Sequence, residues 1–201
     1  LFITFEGIDG CGKSTQLGLV KNMLEHKGFK VLSLREPGGT QLSEDIRNIL
    51  LSNKSKINDV AELLLFEAAR TNLVEELIKP ALLRNEFVLC DRFYDSTTAY
   101  QGYGRMIDID LIKTCNRIAV NGLKPDLTFY LKIPLEIAKQ RSKNREHDRI
   151  EKAGDDFFER VLAGYDQIAA EEPDRFRIIN SESTIDVTKN KIFENIPALS
   201  T

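Results

Sequence analysis

Gly7-Ile8-Asp9-Gly10-Cys11-Gly12-Lys13-Ser14 is the run on which the fold turns. It fits G-x-x-x-x-G-K-[ST], the spacing of a phosphate-binding P-loop. Its flanks suit one. Leu1-Phe2-Ile3-Thr4-Phe5 is an apolar run of strand length, and Thr15 to Lys27 reads as a helix. Glycines let backbone N–H groups turn inward around a polyphosphate. The helix behind them adds the positive end of its dipole. Lys13 reaches the β- and γ-phosphates in such a loop, and Ser14 ligates Mg²⁺.

Outward from that run, strand-like segments recur at 1–6, 30–34, 86–90, 127–132 and 175–179, with helical segments between them. This alternation predicts an α/β fold in three layers, a five-stranded parallel sheet with helices on both faces. Gly28, just past Lys27, suits a helix C-cap. Asn58 precedes a long helical pattern through Val60, Leu63, Leu64, Ala68, Val74 and Leu77. The stretch 139–152 is dense in charge and reads as a short lid within a single domain, 1–201.

Composition narrows the function classes. The chain has 201 residues, 42% hydrophobic and 29% charged, as a folded globular domain requires. A net charge of -3 speaks against nucleic-acid binding. Cys11, Cys90 and Cys115 have no metal-ligand spacing. Cys90 reads as core, and Cys11 as a small loop residue rather than a reactive thiol. No apolar stretch reaches membrane-spanning length and the start reads as a strand, so no membrane partner and a cytoplasmic location are expected.

In open parallel sheets ligands bind beyond the carboxyl ends of the strands. There the chain carries the P-loop, Arg35-Glu36-Pro37-Gly38-Gly39-Thr40, and Asp91-Arg92-Phe93-Tyr94-Asp95. Asp91 suits a Mg²⁺ carboxylate, acting directly or through water. Arg35 and Arg92 are two guanidinium forks suited to a second phosphate, with surface ion pairs as the alternative. Phe66 and Arg70 share a helix face. Spacing alone reads them as core and solvated face; the alternative is a ring and a fork around a base. Between Asp91 and Arg105, Tyr94, Tyr100, Gly102, Tyr103 and Gly104 suggest a loop approaching a ligand, with Thr97 and Gln101 as donors and acceptors for a base edge. Arg141, Arg145 and Arg149 recur every four residues and would form one helical stripe, either solvated or closing on a phosphoryl group.

Together these segments resemble thymidylate kinases of the bacterial type. The carriers are Phe5 to Thr15, Arg35 to Thr40, Leu64-Leu65-Phe66-Glu67-Ala68-Ala69-Arg70, Asp91 to Arg105, and Asp148-Arg149-Ile150-Glu151. The resemblance implies a P-loop kinase fold, usually a homodimer, that moves the γ-phosphoryl group of ATP to dTMP with Mg²⁺. Gly7, Ile8, Asp9, Gly10, Cys11, Gly12, Lys13, Ser14 and Thr15 would hold ATP, with Arg141 against adenine. Phe66 would stack on thymine, Arg70 would bond its edge, and Ser96, Thr97 and Gln101 would help hold the nucleotide. Tyr100 would lie beneath the deoxyribose. Asp9 would orient the 3′-OH or a Mg²⁺-bound water, and Arg35 and Arg92 would grip the acceptor phosphate. The implied catalytic set is Lys13, Arg92, Asp9 and a lid arginine, Arg145 or Arg149. The eukaryotic type carries an arginine where this chain has Gly10, which leaves the lid to supply that charge.

Two other readings start from the same P-loop. A nucleoside kinase would use Glu36 as base and leave Arg35 and Arg92 without a phosphate. A GTPase switch would carry N-K-x-D, which the sequence lacks.

Overall fold

The structure, a computed structural model, describes residues 1–54, 56–144 and 146–197. Five strands, β1 (Phe2–Glu6), β2 (Val31–Arg35), β3 (Phe87–Asp91), β4 (Leu127–Lys132) and β5 (Phe176–Asn180), form one sheet in the order β2-β3-β1-β4-β5. All four pairings are parallel. β1 is buried along its whole length because it has a strand on either side and helices on both faces. The edge strands β2 and β5 are only partly covered. At the centre, the hydroxyls of Thr4 and Thr128 lie 2.8 Å apart and satisfy each other. Each strand lies within one residue of its predicted span.

The helices are α1 (Lys13–His26), α2 (Gln41–Leu51), α3 (Asp59–Leu73), α4 (Lys79–Leu83), α5 (Tyr94–Thr97), α6 (Ile109–Val120), α7 (Leu135–Ser142), α8 (Asp155–Glu171) and α9 (Ile185–Phe193). Gly28 follows α1 with φ +87°, the C-terminal signal expected of it. Asn58 caps α3, accepting from the Ala61 N–H at 2.8 Å. The long pattern after Asn58 does not stay α-helical. Residues Val74–Ile78 form a π-helical segment between α3 and α4. Pro80, at the start of α4, lacks the N–H that a regular helix needs there.

Two local expectations are overturned. The stretch between Asp91 and Arg105 is not a loop: α5 continues into a π-helical segment, Thr98–Gly104. Its glycines serve packing. A Cβ on Gly104 would sit 2.6 Å from the Phe157 ring of α8, and one on Gly164 of α8 would sit 2.7 Å from Tyr103. The arginine stripe does not form among the described residues either, because α7 ends at Ser142. Beyond it, Asp148 Oδ1 accepts from the N–H groups of Ile150 and Glu151 at 2.8 and 2.9 Å and turns the chain. Arg149 is then drawn to the end of α2, its backbone N–H donating to the Leu51 carbonyl and its Nε to that of Leu50 at 2.9 Å.

Candidate active site

The P-loop wraps the start of α1 at the carboxyl end of β1. Gly10 has φ +85°, and a Cβ there would meet the Ala138 carbonyl of α7 at 2.6 Å. No side chain fits there without moving α7. Lys13 Nζ folds back on the loop, donating to the Gly7 and Ile8 carbonyls at 3.0 and 3.2 Å. Cys11 is fully buried in the loop, and burial pushes its thiol up. Arg141 donates to the carbonyls of Ser181 (3.0 Å) and Glu182 (3.3 Å), in the turn after β5. The Ser181 hydroxyl in turn donates to the Cys11 carbonyl at 2.6 Å.

Beside the loop, Ser14 Oγ donates to Asp91 Oδ2 at 2.6 Å. Arg92, next in sequence, has φ +72°, a left-handed backbone uncommon outside glycine. That turn throws its side chain back over the P-loop. Its guanidinium donates to the Gly7 carbonyl and to Asp9 Oδ1, both at 2.9 Å, and lies 5.1 Å above the Tyr100 ring. Burial opposes its charge, but Asp9 and its other neighbours hold its pKa above the usual arginine value.

A cleft of about 190 Å³ opens from this point. All nine residues expected at the acceptor site line it: Asp9, Arg35, Phe66, Arg70, Arg92, Ser96, Thr97, Tyr100 and Gln101. Ser14 and Asp91 line it too. Lys13, Arg141 and Arg149 are not in its lining, and Arg149 donates to Glu62 at 2.6 Å. Arg145 lies outside the described residues.

Arg70 is not the solvated face that spacing suggested. It is 1% exposed, its Nε donating to Glu36 at 2.8 Å and its Nη1 to Glu67 at 2.9 Å. Its Nη2 donates to the Thr97 hydroxyl at 2.8 Å. Burial works against this charge, and the two carboxylates more than offset it. Burial also drives Glu36 up to about 7 despite Arg70. Only its Oε2 is taken by Arg70.

Sequence reasoning missed Arg47. It sits on α2, donates to the Pro37 carbonyl at 2.9 Å, and lines the cleft. Burial and the charges of Arg35 and Arg92 depress its pKa. Three guanidinium groups lining one cleft suit an anion. Arg35 itself is clasped by Glu44 at 3.0 and 2.9 Å and half exposed, free to exchange that partner for a ligand. Arg47 had no motif around it; only the turn from β2 into α2 brings it there. The carboxylate of Glu62, which receives Gln101, Arg105 and Arg149, was missed for the same reason.

Residues 5–192 match the family described as thymidylate kinase. A thymidylate kinase of Prosthecochloris aestuarii is 50% identical over 98% of this chain and 92% of its own length. One from Thermosipho africanus is 51% identical, over 92% of both. The crystal structure of a thymidylate kinase from Ehrlichia chaffeensis superposes with a TM-score of 0.78 at 36% identity, covering 96% of this chain and 97% of that one.

Proposed function

The chain belongs to the thymidylate kinase family and is a phosphotransferase that makes dTDP and ADP from dTMP and ATP; from that premise we propose which residues hold each nucleotide. The observation that carries the reading is the placement of Arg35, Arg47 and Arg92 around one cleft, next to a P-loop on the same sheet edge. Two anion sites side by side suit a transfer between two phosphates.

ATP lies along residues 7–15, with Lys13 turning from the loop carbonyls to the β- and γ-phosphates and Arg141 toward adenine. dTMP enters the cleft with thymine on the Phe66 ring and its edge at Arg70, Thr97 and Gln101. Tyr100 supports the sugar, and Asp9 and Ser96 complete the polar contacts. Arg92 and Arg35, with Arg47, take the acceptor phosphate. That phosphate is itself the nucleophile, so no strong base is needed. The protein has to bring two anions into line and offset their repulsion. The segment 139–152 serves as the lid of a single kinase domain, and Arg145 or Arg149 remains its candidate for the transferring group.

Mg²⁺ fits the donor set present. The Ser14 hydroxyl and the Asp91 carboxylate are hard oxygens at the end of the P-loop. Among the described residues no three His, Cys, Asp or Glu side chains gather into a cage, so the ion would keep waters and phosphate oxygens as its other ligands. Bound there it would neutralise charge on the β- and γ-phosphates. Asp91→Asn is expected to raise the Mg²⁺ concentration for half-maximal rate about tenfold, with the KM for dTMP little changed. An unaltered Mg²⁺ dependence would remove Asp91 from this role.

The chain also works as a homodimer in this reading. Val60 and Leu64 of α3 and Leu111 and Ile118 of α6 are exposed apolar residues on adjoining helices, Ile118 at 73%. Sedimentation should give twice the chain mass; a single-chain mass at micromolar concentration would end the proposal. No helix among the described residues is long and apolar enough to cross a membrane. The two soluble nucleotide substrates favour the cytoplasm as the place of work.

A further inference from the structure

Glu62 lies on α3, one turn before Phe66 and two before Arg70, and is completely buried. Its Oε1 accepts from Gln101 Nε2 at 2.8 Å and from Arg105 Nε at 3.1 Å. Its Oε2 accepts from Arg105 Nη2 at 3.2 Å and from Arg149 Nη2 at 2.6 Å. One carboxylate therefore joins a cleft-lining amide, the arginine that ends the π-helical segment, and the lid. Burial works against its charge, but Arg105, Gln101 and Arg149 hold its carboxyl below the usual range.

An ionised carboxylate only accepts hydrogen bonds. The end of the Gln101 amide that faces it must then be the NH₂, and the flip of this amide is decided by chemistry. With one NH₂ hydrogen given to Glu62 and the amide held in this flip, Gln101 turns its carbonyl oxygen to the cleft it lines. An acceptor at that place suits the N3–H of thymine. Cytosine presents an acceptor at N3 and would meet it oxygen against lone pair.

Resting on the base site described above, we propose that Glu62 is a positioning residue for base selection: it locks the Gln101 amide so that the cleft meets an acceptor, while its second oxygen ties the lid down through Arg149. The tie lies next to the base. Arg149 is followed by Ile150, which is buried and lines the same cleft. A site built to satisfy one hydrogen-bonding pattern rejects the wrong one strongly, because the mismatch leaves buried polar groups unpaired.

Glu62→Gln tests this. Arg149 Nη2 and Arg105 Nη2 claim its single amide oxygen, which leaves its NH₂ toward Gln101 and the Arg105 Nε–H. Gln101 then turns its oxygen to position 62 and its NH₂ to the base. The ratio of kcat/KM for dTMP over dCMP should fall about tenfold or more, mainly through a higher KM for dTMP. A merely structural role would lower both nucleotides together, and a ratio unchanged in folded Glu62→Gln overturns the proposal. Arg149→Met is the companion variant. It frees the lid and leaves the Gln101 contact, so it should weaken dTMP turnover at an unchanged ratio; a ratio that collapses as in Glu62→Gln would place selection in the lid instead. A wild-type enzyme indifferent to dTMP and dCMP would fail the base-site reading, not the role of Glu62. If Glu62→Gln does not fold, the wild-type protein still answers. The side-chain NH₂ of Gln101, identified in ¹⁵N spectra by its loss in Gln101→Met, should be protected from exchange with and without dTMP. Fast exchange of those protons without nucleotide, or a direct contact from them to the base, overturns the proposal.

Discussion

Arg92→Ala is expected to lower kcat/KM for dTMP by about a hundredfold or more, because the acceptor phosphate loses its charge-assisted fork, a loss of about 2–5 kcal/mol. The fork is aimed by its backbone. At φ +72° the chain turns back on itself, so the guanidinium spans from the Gly7 carbonyl to Asp9 and rests on Tyr100. Alanine meets the same backbone demand as arginine, so the loss does not arise from new strain. Asp9 is partly exposed and water can take over its bond, which keeps the fold largely intact. What disappears is the one cation, among the described residues, that bonds the P-loop and lines the cleft at once. Turnover close to normal, or a lowered melting temperature that accounts for the whole deficit, would sink the assignment.

The second large effect is on stability. Arg70→Leu removes a guanidinium that is 1% exposed and leaves Glu36 and Glu67 buried without it. Breaking one side of a buried ion pair costs about 3–5 kcal/mol. The deficit should depend on pH, and its sign follows from the carboxyls. Burial already raises Glu67 and takes Glu36 to about 7, and Arg70 is what pulls both down. Without it both rise further. A carboxyl whose folded pKa lies above its unfolded value helps the folded state at low pH, and that help is lost as pH rises through the folded value. The variant should therefore be weakest near pH 8 and recover toward pH 5. Urea unfolding at the two values measures this. An equal loss at both would mean that missing packing, not stranded charge, is the cause.

The parts that were legible in the sequence share a physical origin. β1, β3 and β4 are continuous apolar runs because both faces of the inner sheet are covered, so their limits stand out. The residues at the strand ends were legible because the sheet topology sends them to one edge whatever the helices do. What the sequence hid was decided by contacts between distant segments. Gly102 and Gly104 look like a loop until Ile109 and Phe157 occupy the space their side chains would fill. Arg70 looks like a surface residue until Glu36 and Thr97 arrive from elsewhere in the chain. The lid arginines look like a stripe only if the helix continues, and the carbonyls of α2 together with Glu62 draw Arg149 out of it. Glu62 itself reads as one more acidic residue on a helix.

The close approach of Gly10 to the Ala138 carbonyl bears on how such enzymes diverge. An arginine gained at position 10 in this background would arrive first as a clash, before it could be of use. An arginine there needs α7 to shift first.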